Sequence, residues 1–131
     1  LGILERRVLG ENESSADLAS EAAKKALKDA GVSAEEIDLI VLATDTPEYI
    51  SPGTSVVVQH RIGAKNAGTF DTNAACAGFV TALDTAVKYI QADANYKNVL
   101  VVGVYAMSKF LDWTEKKTAT IFADGAGAVV L

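Results

Sequence analysis

The sequence predicts an α/β fold, layered α/β/α around a mixed five-stranded sheet. Three observations carry this expectation. The apolar runs Leu39-Ile40-Val41-Leu42 and Val99-Leu100-Val101-Val102 are short and unbroken, as strands buried on both faces of a parallel sheet are. Longer stretches lie between them, with apolar residues at helical spacing. Glycine- and proline-containing turns separate the two kinds of segment, and strands alternating with helices are the mark of α/β architecture.

Residues 1–13 show no strong period and end in the polar turn Gly10-Glu11-Asn12-Glu13. Ser14 to Ala30 reads as a helix. Ser14 or Ser15 caps it, Leu18, Ala22, Ala26 and Ala30 form a stripe with Leu27 beside it, and Gly31 ends it. Lys24, Lys25 and Lys28 fall in its last turns, where the helix dipole favours cations. Ser33-Ala34-Glu35-Glu36 fits a capping box and predicts a short helical turn. Asp38 to Thr44 is the first strand. Pro47 and Pro52 make the next segment a loop.

Thr54 to Ile62 reads as a short helix closed by Gly63, and Ala67 to Thr72 as the second strand. Cys76 to Ala92 is the longest helical pattern, with Phe79, Leu83, Val87 and Ile90 as its stripe and Ala82 and Ala86 at its flanks. Asn98 to Val104 is the third strand, and Ser108 to Lys117 a loop. The last two strands, Thr118 to Ala123 and Gly127 to Leu131, flank Asp124-Gly125, a hairpin signal that would make the sheet mixed.

Composition narrows the function. With 131 residues, 50% hydrophobic and 22% charged, the chain has the length and apolar content of one ordinary domain with a core. A net charge of −5 argues against a nucleic-acid surface. The apolar runs are too short to span a bilayer. The charged segment Leu1 to Gly10 holds no apolar stretch of signal-peptide type. One cysteine cannot form a disulfide framework, and one histidine with one cysteine cannot make a four-ligand His/Cys zinc site. The opening without methionine and the apolar ending Ala128-Val129-Val130-Leu131 lead to the expectation of a piece of a longer cytoplasmic chain.

Cys76 is the sharpest candidate for chemistry. It lies between a strand and a long helix, among the small residues Ala74, Ala75, Ala77 and Gly78. The partial positive charge of a helix N-terminus favours a thiolate, and small neighbours leave room for a substrate. Its backbone N–H could also stabilise an oxyanion. The competing reading is an inert buried cysteine. His60, the single histidine, reads as a surface or helix-end residue rather than as the base for Cys76. Asp45, Glu48 and Asp71 fall near the carboxyl ends of strands, where open α/β sheets place their sites, but such residues also cap turns. Asp124-Gly125-Ala126-Gly127-Ala128 lacks the Gly-Lys-Ser/Thr of a phosphate loop. Arg6, Arg7, Lys116 and Lys117 are basic spots suited to a diphosphate or an acidic partner, or simply a solvated surface.

From Asp71 through Phe79 the sequence resembles the β-ketoacyl-acyl-carrier-protein synthase III family of thiolase-like condensing enzymes. The resemblance extends to Gly2-Ile3-Leu4-Glu5-Arg6-Arg7, Thr44-Asp45-Thr46-Pro47 followed by Pro52, Val101-Val102-Gly103, and Thr120 through Ala128. It implies a thiolase-like fold of two similar halves, with residues 1–131 as most of the N-terminal half. The family's catalytic histidine and asparagine would then lie in the second half, and His60 would have no catalytic role.

The resemblance further implies that Cys76 is the acyl-accepting nucleophile and that Phe79 packs beside it. Lys116 would stand where many members carry an arginine against the coenzyme A adenine, although Lys forks and stacks less well than Arg. Ser51 would reach a partner subunit's acyl pocket and leave room for a chain longer or more branched than acetyl. The implied reaction takes acyl-CoA and malonyl-acyl-carrier protein as substrates in a homodimer, with no metal or redox cofactor. Two alternatives remain at this point. One is a 3-hydroxy-3-methylglutaryl-CoA synthase, whose glutamate base would correspond to the shorter Asp45. The other is a non-catalytic α/β binding module.

Overall fold

The computed structural model describes residues 2–131; Leu1 lies outside them. Its sheet is built from β1 (Leu39–Ala43), β2 (Gly68–Thr72), β3 (Val99–Ala106) and β4 (Asp124–Val130). The spatial order is β2-β1-β3-β4. The first three strands are parallel, and β4 runs antiparallel to β3. The sheet is therefore mixed, as expected, but has four strands among the described residues rather than five.

The missing strand is Thr118 to Ala123. Glu115 accepts hydrogen bonds from Lys117 N at 3.1 Å and Thr118 N at 2.9 Å. This cap starts the single helical turn α4 (Lys116–Ala119) instead. The segment 107–123 joins β3 to β4 as a wide connection, so Asp124-Gly125 opens a strand and does not turn a hairpin.

Helices cover both faces. α1 (Ser15–Ala30) and α2 (Thr54–Ile62) lie on one side, and α3 (Gly78–Ala92) on the other. Connection handedness explains this split. The chain leaves β1 for its neighbour β2 through α2, then returns past β1 to β3 through α3. Parallel crossovers are right-handed, so reversing direction across the sheet moves the connecting helix to the opposite face.

β1 shows the consequence in its side chains. Ile40 and Leu42 pack with α1 and α2, Leu39, Val41 and Ala43 pack with α3, and all five are buried. Burial of one such large aliphatic side chain contributes roughly 1.5–3 kcal/mol.

The sequence places helix boundaries well and helix faces less well. Ser14 and Asp17 form the capping box of α1, and Gly31 ends it at φ 68°. The buried stripe, however, is Ala16, Ala19, Ser20, Ala23 and Leu27, while Ala30 is exposed. Alanine occurs all round this helix, so periodicity alone does not select the face that meets β4 and α2. In α3, Ala82 and Ala86 are fully buried against the sheet, and Val87 is exposed. Small residues bring that helix close, and the larger Phe79, Leu83 and Ile90 pack beside the contact line.

Candidate active site

The cleft of interest opens at the carboxyl ends of the parallel strands, where α/β sheets carry their sites. Its volume is about 530 Å³. Cys76 lines it together with Phe79, Asp45, Tyr105 and Phe122, above a floor of Ala43, Gly103, Gly125 and Gly127.

The backbone at Cys76 is tightly turned. β2 ends at Thr72, and Asn73 Oδ1 accepts a hydrogen bond from Ala75 N at 3.0 Å. Ala75 then takes φ 47°, the one non-glycine residue with positive φ among those described. Such a conformation costs on the order of 1–3 kcal/mol and concentrates at functional sites. Residues Ala75–Ala77 form one 3₁₀ turn, and α3 follows at Gly78. Cys76 is thereby exposed on the cleft wall of this chain.

No side chain caps the N-terminus of α3, so its dipole is open towards the turn that carries Cys76. Gly78 lets the start of α3 pack closely on the end of β1, since a Cβ there would lie 3.2 Å from the Ala43 Cβ. Gly103 does the same for Phe79, whose Cδ2 would stand 3.0 Å from an added Cβ.

Other sequence candidates separate from the cleft. His60 lines a different depression, with Glu35, Gln59, Gly63 and Lys65. The carboxylate of Asp71 accepts from Thr54 N at 2.7 Å and Ser55 N at 2.8 Å. It caps α2, which gives it a structural task and takes it out of the candidate acids. Glu48 is half-buried, and its carboxylate beside Tyr49 holds that phenol's pKa above its ordinary value. Asp45 alone of the three candidate carboxylates lines the cleft.

Ser51 is exposed on the loop before α2 and does not line the cleft. Lys116 opens α4 and is exposed; the wall residues Ile121, Phe122 and Ala123 follow that turn. The N-terminal segment runs beside them. The Arg6 guanidinium donates to the Ala119 carbonyl, and Asp124 N donates to the Arg7 carbonyl at 2.8 Å. Arg7 itself pairs with Glu5 at 2.7 Å on the surface. Arg6, Arg7, Lys116 and Lys117 thus belong to one corner of the molecule, next to the cleft wall.

Sequence reasoning missed Tyr105, and gave Asp124 a turn rather than the contacts it makes. Burial first, then the neighbouring Asp45 and Cys76 side chains, raise the Tyr105 pKa. Asp124 accepts from Leu9 N at 2.7 Å, Ser108 N at 2.8 Å and the Ser108 hydroxyl. A run of small residues, Gly125-Ala126-Gly127, was the available signal that a surface is kept clear there.

Layering, strand order and a cysteine on the turn before α3 define a thiolase-like α/β protein. A profile of the family described as 3-oxoacyl-[acyl-carrier-protein] synthase III matches residues 70–131. A β-ketoacyl-[acyl-carrier-protein] synthase III of Bacillus cereus is 51% identical over 130 residues, covering 99% of this chain and 42% of that protein. The crystal structure of a 3-oxoacyl-[acyl-carrier-protein] synthase III from Aquifex aeolicus superposes with a TM-score of 0.94. It is 47% identical, and the match covers 98% of this chain and 41% of that one. The priming β-ketosynthase of the R1128 polyketide pathway gives a TM-score of 0.91 at 39% identity, over 95% of this chain and 37% of that one.

The chain belongs to the β-ketoacyl-acyl-carrier-protein synthase III family, of which it carries the N-terminal part. It spans about two fifths of the length of the curated relatives it matches.

Proposed function

We propose that this chain supplies the acyl-accepting half of an active site for decarboxylating Claisen condensation. The observation that carries the reading is the exposed Cys76 on a strained turn, at the mouth of an apolar cleft and before an uncapped helix. Its thiolate attacks the carbonyl carbon of an acyl-CoA thioester, forming a new C–S bond. The old C–S bond breaks, and coenzyme A leaves as a thiol after taking a proton. Backbone N–H groups at the turn stabilise the oxyanion that forms in between.

Malonyl-acyl-carrier protein then binds and loses carbon dioxide. The electron pair of the broken C–C bond becomes an enolate, which attacks the acyl-cysteine carbonyl. The C–S bond to Cys76 breaks and the thiolate returns. The histidine and asparagine that assist this step come from outside the chain described here. Phe79 packs against the acyl group. Lys116, with Arg6 and Arg7 at the same corner, offers positive charge to the coenzyme A phosphates and the acidic carrier protein. Ser51, exposed beside Ile50, would face the acyl chain of a second copy in a homodimer. The setting of this chemistry is the cytoplasm, at the start of fatty acid or polyketide-type synthesis.

The test uses the complete protein and radiolabelled acyl-CoA. Label is expected on the wild type, and none on Cys76→Ser. Label that survives in Cys76→Ser, or none on the wild type, overturns the reading. Adding malonyl-acyl-carrier protein to the labelled enzyme should release the label as a 3-oxoacyl product. Release only by acetoacetyl-CoA as the second substrate would instead assign the 3-hydroxy-3-methylglutaryl-CoA synthase reaction.

A further inference from the structure

The cleft floor is a bed made by missing side chains. Strand register puts Ala43 beside Gly103, Gly103 beside Gly127, and Tyr105 beside Gly125. Residues paired across a ladder share a face, and alternate residues along a strand share it too. Val101 of β3 packs with α3, so Gly103, Tyr105, Gly125 and Gly127 lie on that same side of the sheet. Phe79, near the start of α3, covers the bed at Gly103, and the bed lies open over Gly125 and Gly127.

Tyr105 is the one large side chain that rises from this bed. Tyr105 pairs across the ladder with Gly125, and its ring leans on Phe122, with centroids 6.2 Å apart and planes tilted by 36°. Cys76 and Tyr105 line the same cleft. An acyl group carried on Cys76 and laid along the glycine bed therefore runs towards the Tyr105 ring.

We propose that Tyr105 is a specificity-determining residue, whose ring ends the glycine bed and limits the length of the acyl chain that Cys76 accepts. The proposal rests on the acyl-transfer reading above. Shape carries the selection, because the walls are largely apolar and an apolar pocket discriminates chiefly by volume. One methylene too many or too few is worth roughly 10- to 200-fold in such a pocket.

The test compares labelling of Cys76 by hexanoyl-CoA and acetyl-CoA in the complete protein. Tyr105→Val is expected to raise the hexanoyl-to-acetyl ratio by about tenfold or more, since it removes the ring and keeps a strand-forming residue. Tyr105→Phe retains the ring and is expected to keep the wild-type ratio. Tyr105→Trp enlarges the ring and is expected to lower the ratio, which keeps the proposal testable if Tyr105→Val does not fold. An unchanged ratio in Tyr105→Val or in Tyr105→Trp overturns the proposal. So does a Tyr105→Phe that shifts the ratio as far as Tyr105→Val, because the hydroxyl then does the selecting. No label on wild-type Cys76 from either thioester overturns the acyl-transfer reading and this proposal with it; label with an unchanged ratio overturns this proposal alone.

Discussion

A cleft at the carboxyl end of a sheet exists only where side chains are withheld, and Gly103 shows how narrowly. Phe79 occupies the space that a Cβ at Gly103 would need, with Cδ2 at 3.0 Å and its own Cβ at 3.4 Å. Gly103→Ala should therefore push the Phe79 ring into the cleft beside Cys76. Relief from glycine's backbone entropy in a strand favours the variant by about 0.5–1 kcal/mol. Overpacking opposes it by about 1–3 kcal/mol and wins. The expected outcome is a lower midpoint of denaturant unfolding and slower acylation of Cys76, with Cys76 still exposed to alkylating reagents. A variant as stable as the wild type, with unchanged acylation, would show that the ring has another place to go. Sequence alone marks Cys76 by its small neighbours; it cannot mark Gly103, because the residue it serves is 24 positions away and meets it only across the sheet.

Helix ends are local and were largely legible. Ser14, Gly31, Gly53 and Gly63 stand at the boundaries of α1 and α2. The faces those helices bury were less legible, since the partner surface decides among several alanine stripes. The α1 cap also carries a pH dependence. Asp17 accepts from Ser14 N at 2.7 Å and from the Ser14 hydroxyl at 2.8 Å, and pairs with Arg61 of α2 at 2.9 Å. The hydroxyl bond first, then the backbone bond, hold its pKa below the ordinary carboxylate value, with Arg61 and Lys109 adding to the effect. A carboxylate lowered in the folded state stabilises fully above its unfolded pKa and loses that contribution as pH falls through the folded one. Asp17→Asn should cost about 1 kcal/mol near neutral pH. The gap in Tm between Asp17→Asn and wild type should close progressively in strong acid. A gap that stays constant across that range would mean that the charge plays no part.

At the scale of the whole molecule, the cleft is held open by contacts that no local window contains. Asp-Gly at 124–125 carries the signal of a hairpin, and the strand before it failed to form because Glu115 nucleates a helical turn there. What Asp124 does instead is long-range. Its carboxylate receives Leu9 N, 115 positions earlier in the chain, together with the backbone N–H and hydroxyl of Ser108. Its own N–H goes to Arg7. One side chain thus ties the N-terminal segment and the end of β3 to the start of β4, immediately before the glycines of the cleft floor. Hydrogen bonds to a charged group contribute roughly 1.5–3 kcal/mol each, and a half-buried donor left without a partner adds a desolvation cost. Asp124→Ala should therefore destabilise the complete protein by about 3 kcal/mol or more, read as a lowered denaturant midpoint. It should also loosen the glycine bed, so that Cys76 acylation falls while Cys76 alkylation does not. Asp124→Asn keeps one acceptor oxygen and should recover part of both losses. If Asp124→Ala leaves the denaturant midpoint and Cys76 acylation at wild-type values, the tie is not what keeps the cleft in shape.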